Sequence, residues 1–250
     1  MKAAVRRKAR SGAWRQAAAC ALAVAAAVLP CTGQAQFAAT AGVASVDRYR
    51  GSGTPDLGPV LRAGAMADAP SGAYAGLSAL WRTRDGGLAS ADVLAGWSGR
   101  LDSLPGLAAL SPRWGWDAAL HRTHYGTGDG RDFSEAMLGL LGPDCSLRTW
   151  FAPHYFGSDM HAFYTEFDAS HALSEQVHAF GHVGWLHYGA GTAYEKRIPD
   201  RVDTLGGIGV SLSDWELRLA RDGIVAGRAR GDMDARRRRA AWILGASVAF

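Results

Sequence analysis

The stretch His161–Leu173, HAFYTEFDASHAL, alternates strictly. Phe163, Thr165, Phe167 and Ala169 fall on one side, and Tyr164, Glu166, Asp168 and Ser170 on the other. Successive side chains of an extended chain point to opposite faces. The stretch therefore reads as a strand with one apolar and one ionic face.

The same pattern recurs along the chain. In 214–223, Trp215, Leu217 and Leu219 oppose Glu216, Arg218 and Asp222. In 91–100, Val93, Ala95 and Trp97 oppose Asp92, Gly96, Ser98 and Arg100; in 114–122, Trp116, Ala118 and Leu120 oppose Asp117 and His121. In 61–68, Leu61, Ala63, Ala65 and Ala67 oppose Arg62, Met66 and Asp68. About twelve such segments are expected, near 37–49, 58–68, 72–83, 90–100, 113–124, 132–142, 145–155, 161–172, 175–188, 201–212, 214–223 and 238–250. After residue 35 no run reaches the roughly 18 apolar residues that a spanning helix needs.

The connections sort by length. One alternate set, including DAPSG, GPD, LSE and SD, is short, with LDSLPGLAALSP as the exception. The other set, including RGSGTPD, HYGTGDGR, GAGTAYEKRIP and DGIVAGRARGDMDARRR, is mostly longer and more charged. Short turns on one side and long loops on the other mark an outer-membrane barrel, with both termini on the short-turn, periplasmic side.

Alternation alone does not say which face meets solvent, but charge does. An Arg facing the middle of a bilayer costs about 2–4 kcal/mol. The ionic face is therefore expected inside: Arg62, Arg82, Asp92, Arg100, Asp117, His121, Glu135, Arg148, Glu166, Asp168, His178, His182, Glu216 and Arg218 are lumen-lining candidates. Trp81, Trp97, Trp116, Trp185, Trp215 and Trp242 sit near strand ends on the apolar face. They are expected to form an aromatic girdle, because indole favours the membrane–water interface. Unpaired sheet edges cannot face hydrocarbon, so the sheet must close. The expected fold is an all-β, closed antiparallel transmembrane barrel.

The front of the chain supports export. A basic stretch, MKAAVRRKARSGAWRQ, precedes the apolar residues 17–30 and then CTGQAQ. This is the pattern of a signal peptide cleaved after Ala35, leaving a barrel over 36–250. Six of the 27 basic residues lie in that leader, which has no acid, so 21 remain against 23 acidic ones. The basic balance thus gives no reason to expect a nucleic-acid partner. Cys20 and Cys31 leave with the leader, and Cys145 alone forms no internal disulfide. At the other end, Trp242, Leu244, Ala246, Val248 and Phe250 make one outward stripe, and the terminal Phe is similar to the signal read by barrel-insertion machinery.

Residues 44–81, ASVDRYRGSGTPDLGPVLRAGAMADAPSGAYAGLSALW, resemble the opening of the bacterial Gcw_chp family through Ser45, Arg50, Gly51, Pro59, Gly72, Tyr74 and Gly76. Val46 and Asp47 replace the family's Asp-Tyr, and Gly53 replaces a Ser. DVLAGWSG, WGWDAAL, DFSEAMLGLLG and WFAPHYFG look like that family's later strands. The resemblance implies an outer-membrane barrel with no assigned activity and no catalytic residues.

No stretch designates an enzyme. A lipid hydrolase of this size needs Ser, His and an orienting Asn, and the chain has no Asn. A Ser-His-Asp or Ser-His-Glu variant from Ser134 or Ser170 stays open, but there is no G-x-S-x-G elbow. GSGTPDLG lacks the Lys and the helix of a phosphate loop. The eight His cluster between 121 and 187. His178 and His182 share a face but lie about 13 Å apart along a strand, too far for one ion. Cross-strand meetings of His with Glu135, Glu166 or Asp168 remain open, and neither metal nor cofactor is expected. Arg236 to Arg239 suit lipopolysaccharide phosphates, and the Arg-Gly-Asp beside them is a weak motif. The expected function is a narrow porin-like channel for small polar solutes, with lipid and lipopolysaccharide as surroundings. The alternative is a non-conducting barrel acting through loops 124–132, 188–200 and 223–238.

Overall fold

The computed structural model describes residues 36–50, 52–53, 58–104, 113–126, 128, 130–189, 200–226 and 240–250. The expected leader, the Arg236–Arg239 run and much of the loops 188–200 and 223–238 lie outside these residues.

Twelve antiparallel strands close into a barrel: β1 (Gln36–Ala44), β4 (Val60–Asp68), β5 (Ala73–Arg82), β6 (Leu88–Arg100), β7 (Gly115–Tyr125), β8 (Phe133–Leu141), β9 (Cys145–Ala152), β10 (Ala162–Ala172), β11 (Val177–Tyr188), β12 (Arg201–Leu212), β13 (Trp215–Ala226) and β14 (Trp242–Ala249). Each pairs with its sequence neighbour, and β1 also pairs with β14, Val43 facing Ala246. Closure leaves no open edge, which satisfies the backbone where no water is present. Two short strands, β2 (Arg48–Tyr49) and β3 (Ser52–Gly53), pair with each other outside the barrel sheet.

Register fixes the faces. Arg62 faces Leu80, Ser78 faces Asp92, Asp117 faces Gly139, Arg148 faces Glu166, and Asp168 faces His182. Hydrogen bonds between such residues run across the inside of the barrel, so this parity points inward. The opposite parity is apolar and bare: Phe37 is 70% exposed, Leu120 69% and Leu138 67%. In water such a band would be an aggregation surface; in a bilayer it is the surface wetted by acyl chains.

Gln36 and Phe250 lie at one rim, here the terminal rim, with the tight connections 69–72, 142–144, 173–176 and 213–214. At Gly72 φ is +87°, and a Cβ would stand 2.1 Å from the Ser98 carbonyl oxygen, so only glycine fits.

Apart from the last strand, which begins at Trp242 rather than 238, the strand spans expected from alternation match, with two corrections. The first strand was expected to reach residue 49, but β1 stops at Ala44. The seventh was expected to reach 155, but β9 stops at Ala152. In both places the chain leaves the wall and turns into the lumen, as described below.

Leu120→Arg places a charge on the outer face midway along β7. It is expected to lower the unfolding free energy in phospholipid vesicles by about 2–4 kcal/mol. A urea titration followed by Trp fluorescence checks this; an unchanged midpoint would contradict the orientation.

Candidate functional site

Arg50 organises the lumen. It follows β2 with φ +48°, in the turn between β2 and β3. Its guanidinium donates two parallel hydrogen bonds to Glu135 on β8, at 2.5 and 2.8 Å. The Tyr49 hydroxyl donates to the same carboxylate at 3.2 Å. Rings of Tyr49, Trp150, Tyr155 and Tyr164 surround the guanidinium, with centroids 4.6–5.9 Å from its central carbon. The ion pair is almost dry, with side chains 7% and 1% exposed. His121 on β7 approaches Glu135 at 3.6 Å and Asp92 at 3.4 Å.

An aromatic plug builds on this pair. Tyr155 and Phe156, in the turn after β9, pack with Phe133, Tyr125 and Tyr49. Together they cover the β7–β11 side of the lumen towards the rim opposite the termini. A second tether holds the inserted segment: Arg62 on β4 donates to Asp47 at 2.8 Å. Burial outweighs that guanidinium and holds the Asp47 carboxyl above the ordinary range.

Small residues make room for the lumenal rings. A Cβ on Gly184 would lie 2.1 Å from the Tyr164 hydroxyl. Tyr164 is buried there, within hydrogen-bond reach of His182 at 2.9 Å and donating to Asp203 at 3.2 Å. Gly96 does the same for Tyr74, which donates to Asp117.

What remains open is a cavity of about 1180 Å³ beside the plug. Its lining reaches from Asp144 in the turn after β8 at the terminal rim to Asp222 and Val60 towards the other rim. Seven carboxylates line it (Asp47, Asp144, Glu166, Asp168, Asp203, Glu216 and Asp222) against the guanidiniums of Arg50, Arg62 and Arg218. The cavity lining is therefore acidic.

Every lumen candidate lies on the inward register. Arg62, Glu166, Asp168, His178, His182, Glu216 and Arg218 line the cavity, as does His121. His178 and Arg218 both contact Glu216, at 3.2 and 2.7 Å. Asp117 and Arg148 meet at 3.7 Å, and Asp92 accepts from Thr123 at 2.8 Å. Glu135 belongs to the plug. Arg82 and Arg100 stand at opposite rims and pair with Asp85 and Asp102 in the connections.

The girdle candidates all take the outward register. Trp97, Trp116 and Trp215 lie towards the terminal rim, and Trp81, Trp185 and Trp242 towards the other. Trp97 donates to the Ser71 carbonyl, and Trp185 to Asp200. Phe250 continues the ladder through paired backbone bonds with Ala39, its ring 77% exposed.

Sequence reasoning missed Tyr49, Asp47, Tyr155 and Asp203 as lumenal groups, and noted Arg50 only within a motif. Asp203 follows from parity, since Val202 and Thr204 flank it in β12. Nothing in local alternation marks a loop residue that folds inward. Among the described residues, neither Ser134 nor Ser170 hydrogen-bonds a histidine; Ser134 accepts from Arg122 on the outer face.

No family model matches the chain, and no curated protein sequence matches it. Comparison with solved structures places it among outer-membrane barrels of the porin fold. The KdgM porin superposes with a TM-score of 0.53 at 9% identity, over 85% of this chain and 99% of that one. The NanC porin gives a TM-score of 0.50, again at 9% identity over 85% and 99% of the two chains.

Glu135→Gln leaves a buried guanidinium without its counter-charge, a loss of about 3–5 kcal/mol where the pair cannot relax. The inserted segment is expected to leave the lumen instead. Trypsin cleavage after Arg48 or Arg50 in intact vesicles should then speed up by roughly tenfold or more.

Proposed function

We propose that the protein is a narrow outer-membrane channel for small polar solutes, with a preference for cations. The observation that carries this reading is the acidic cavity running along the lumen beside the plug. Seven carboxylates against three guanidiniums raise the local cation concentration and repel anions. The fold shared with two porins supports the same reading. The terminal rim faces the periplasm, and the last strand, with Phe250 outward, is presented to barrel-insertion machinery. Outer-membrane lipid and lipopolysaccharide surround the apolar band. Kinship with the Gcw_chp barrels is part of the proposal, carried by the residues around Arg50. Export by the leader is part of it too.

The Arg50–Glu135 pair favours one alternative: a barrel held shut, acting through its loops. Planar bilayers separate the two. The channel reading expects steady ohmic current, with a reversal potential in a KCl gradient of the sign set by K⁺. Arg50→Ala should raise the conductance roughly twofold or more by freeing the β7–β11 side. Silence from correctly folded wild-type barrels would overturn the channel reading. An anion-selective current would overturn the cation preference.

A further inference from the structure

We propose that the lumen carries a binding site for a divalent transition-metal ion, formed by Glu166, Asp168 and His182 with Asp203 behind them. As cargo for passage, the ion rests on the channel reading above; the binding itself does not.

The three inner residues come from adjacent strands. Glu166 and Asp168 are successive inward positions on β10, and His182 on β11 faces Asp168. One donor atom from each lies within 4.8 Å of the other two. His182 Nδ1 stands 2.8 Å from Asp168 Oδ1. A tetrahedral ion with bonds of about 2.0–2.1 Å sets its ligand atoms roughly 3.3 Å apart. The observed spacing brackets that value, so small rotations within the open cavity bring the three around one ion.

Asp203 is the independent observation. A histidine that ligates a metal through one nitrogen almost always gives the other N–H to a carboxylate. Asp203 Oδ2 lies 3.1 Å from His182 Nε2, on the far side of the ring from Asp168. This contact holds a proton on Nε2 and turns Nδ1 towards Asp168, so an entering ion has only the proton shared by Nδ1 and Asp168 to displace. Asp203 is 5% exposed, and its other oxygen, Oδ1, is buried and has no hydrogen-bond partner among the described residues. Tyr164 holds it in place by donating to Oδ2.

Charge points the same way. Asp168 and Asp203 pair with the one imidazole, Glu166 stands within 4.8 Å of it, and among the described residues no ion pair joins any of the three carboxylates to a guanidinium. Glu166 Oε1 accepts from Trp150 Nε1 at 3.0 Å, which leaves Oε2 for the ion. A surplus of carboxylates within a protein wall is relieved by a cation. One imidazole nitrogen with carboxylate oxygens suits zinc or a neighbouring divalent metal better than calcium or magnesium, which take oxygen ligands alone. As the ion enters, the proton between Nδ1 and Asp168 is released to solvent. Chain spacing hid the site: His178, which shares His182's strand, pairs with Glu216 instead.

Equilibrium dialysis of the folded barrel in detergent micelles against Zn²⁺ alone tests the site. Folding is checked by heat-modifiable migration. One Zn²⁺ per chain is expected, with affinity falling roughly a hundredfold or more in His182→Ala and in Asp168→Asn. Asp203→Asn, at a positioning residue, should weaken binding about 10–100-fold, with Asp203→Glu recovering part of the loss. His178→Ala should bind as wild type. X-ray absorption of the loaded barrel should show a single imidazole among oxygen ligands. No binding by folded wild type, or equal binding by both His182→Ala and Asp168→Asn, would overturn the site. In bilayers, Zn²⁺ should reduce wild-type current and leave folded Asp168→Asn current unaffected. Equal block of both would count against the site. A silent wild type that still binds Zn²⁺ would sink the channel reading and leave the site standing.

Discussion

A strand that crosses hydrocarbon must satisfy every backbone N–H within the sheet, and this requirement governs the rest of the molecule. It forces β1 onto β14, and closure then assigns each side chain to one of two media. Because the strand period is two, a slip of one residue would turn Arg62, Asp92 and Glu166 into lipid and Leu61, Val93 and Phe167 into the lumen. The register is therefore held by all the strands together. Ionic residues hold it from inside, and Leu, Ala and Trp hold it from outside.

Within that shell the lumen is not uniformly wet. Arg50 and Glu135 are almost fully removed from water, and such a pair persists only because its hydrogen bonds are two-pronged and its flanks are aromatic. Tyr49, Trp150, Tyr155 and Tyr164 offer ring faces to the guanidinium, an attraction that strengthens as water is excluded. Gly184 makes this arrangement fit, since any side chain there would displace the Tyr164 hydroxyl. Packing, charge and backbone conformation converge on one wall. The opposite wall, from β12 through β14 to β1, carries Gly209, Gly245, Gly42 and other small inward groups, and stays open.

Alternation made the barrel legible. Twelve segments, their faces and the inward set from Arg62 to Arg218 all follow from period two and the cost of a charge in lipid. The lumen's interior was less legible, because it is built from residues that leave the ladder. Arg50 and Tyr155 lie in connections, where periodicity carries no direction, and their partners are distant along the chain: Arg50 and Glu135 are 85 residues apart. The encounter of Glu166, Asp168 and His182 was half visible. The sequence placed all three on inner faces, but only the pairing of β10 with β11 put Asp168 opposite His182. Asp203 needed the next strand as well.

The inserted segment is fastened at Arg62 on β4 and at Glu135 on β8, with three strands between those anchors. In cross-section it is a chord drawn across a circle rather than a stopper at its centre. A chord leaves two unequal areas, and the aromatic rings gather where its Glu135 end meets β8–β11. The cavity that remains is a crescent against β12–β14 and β1, and Asp203, Glu216 and Asp222 border it.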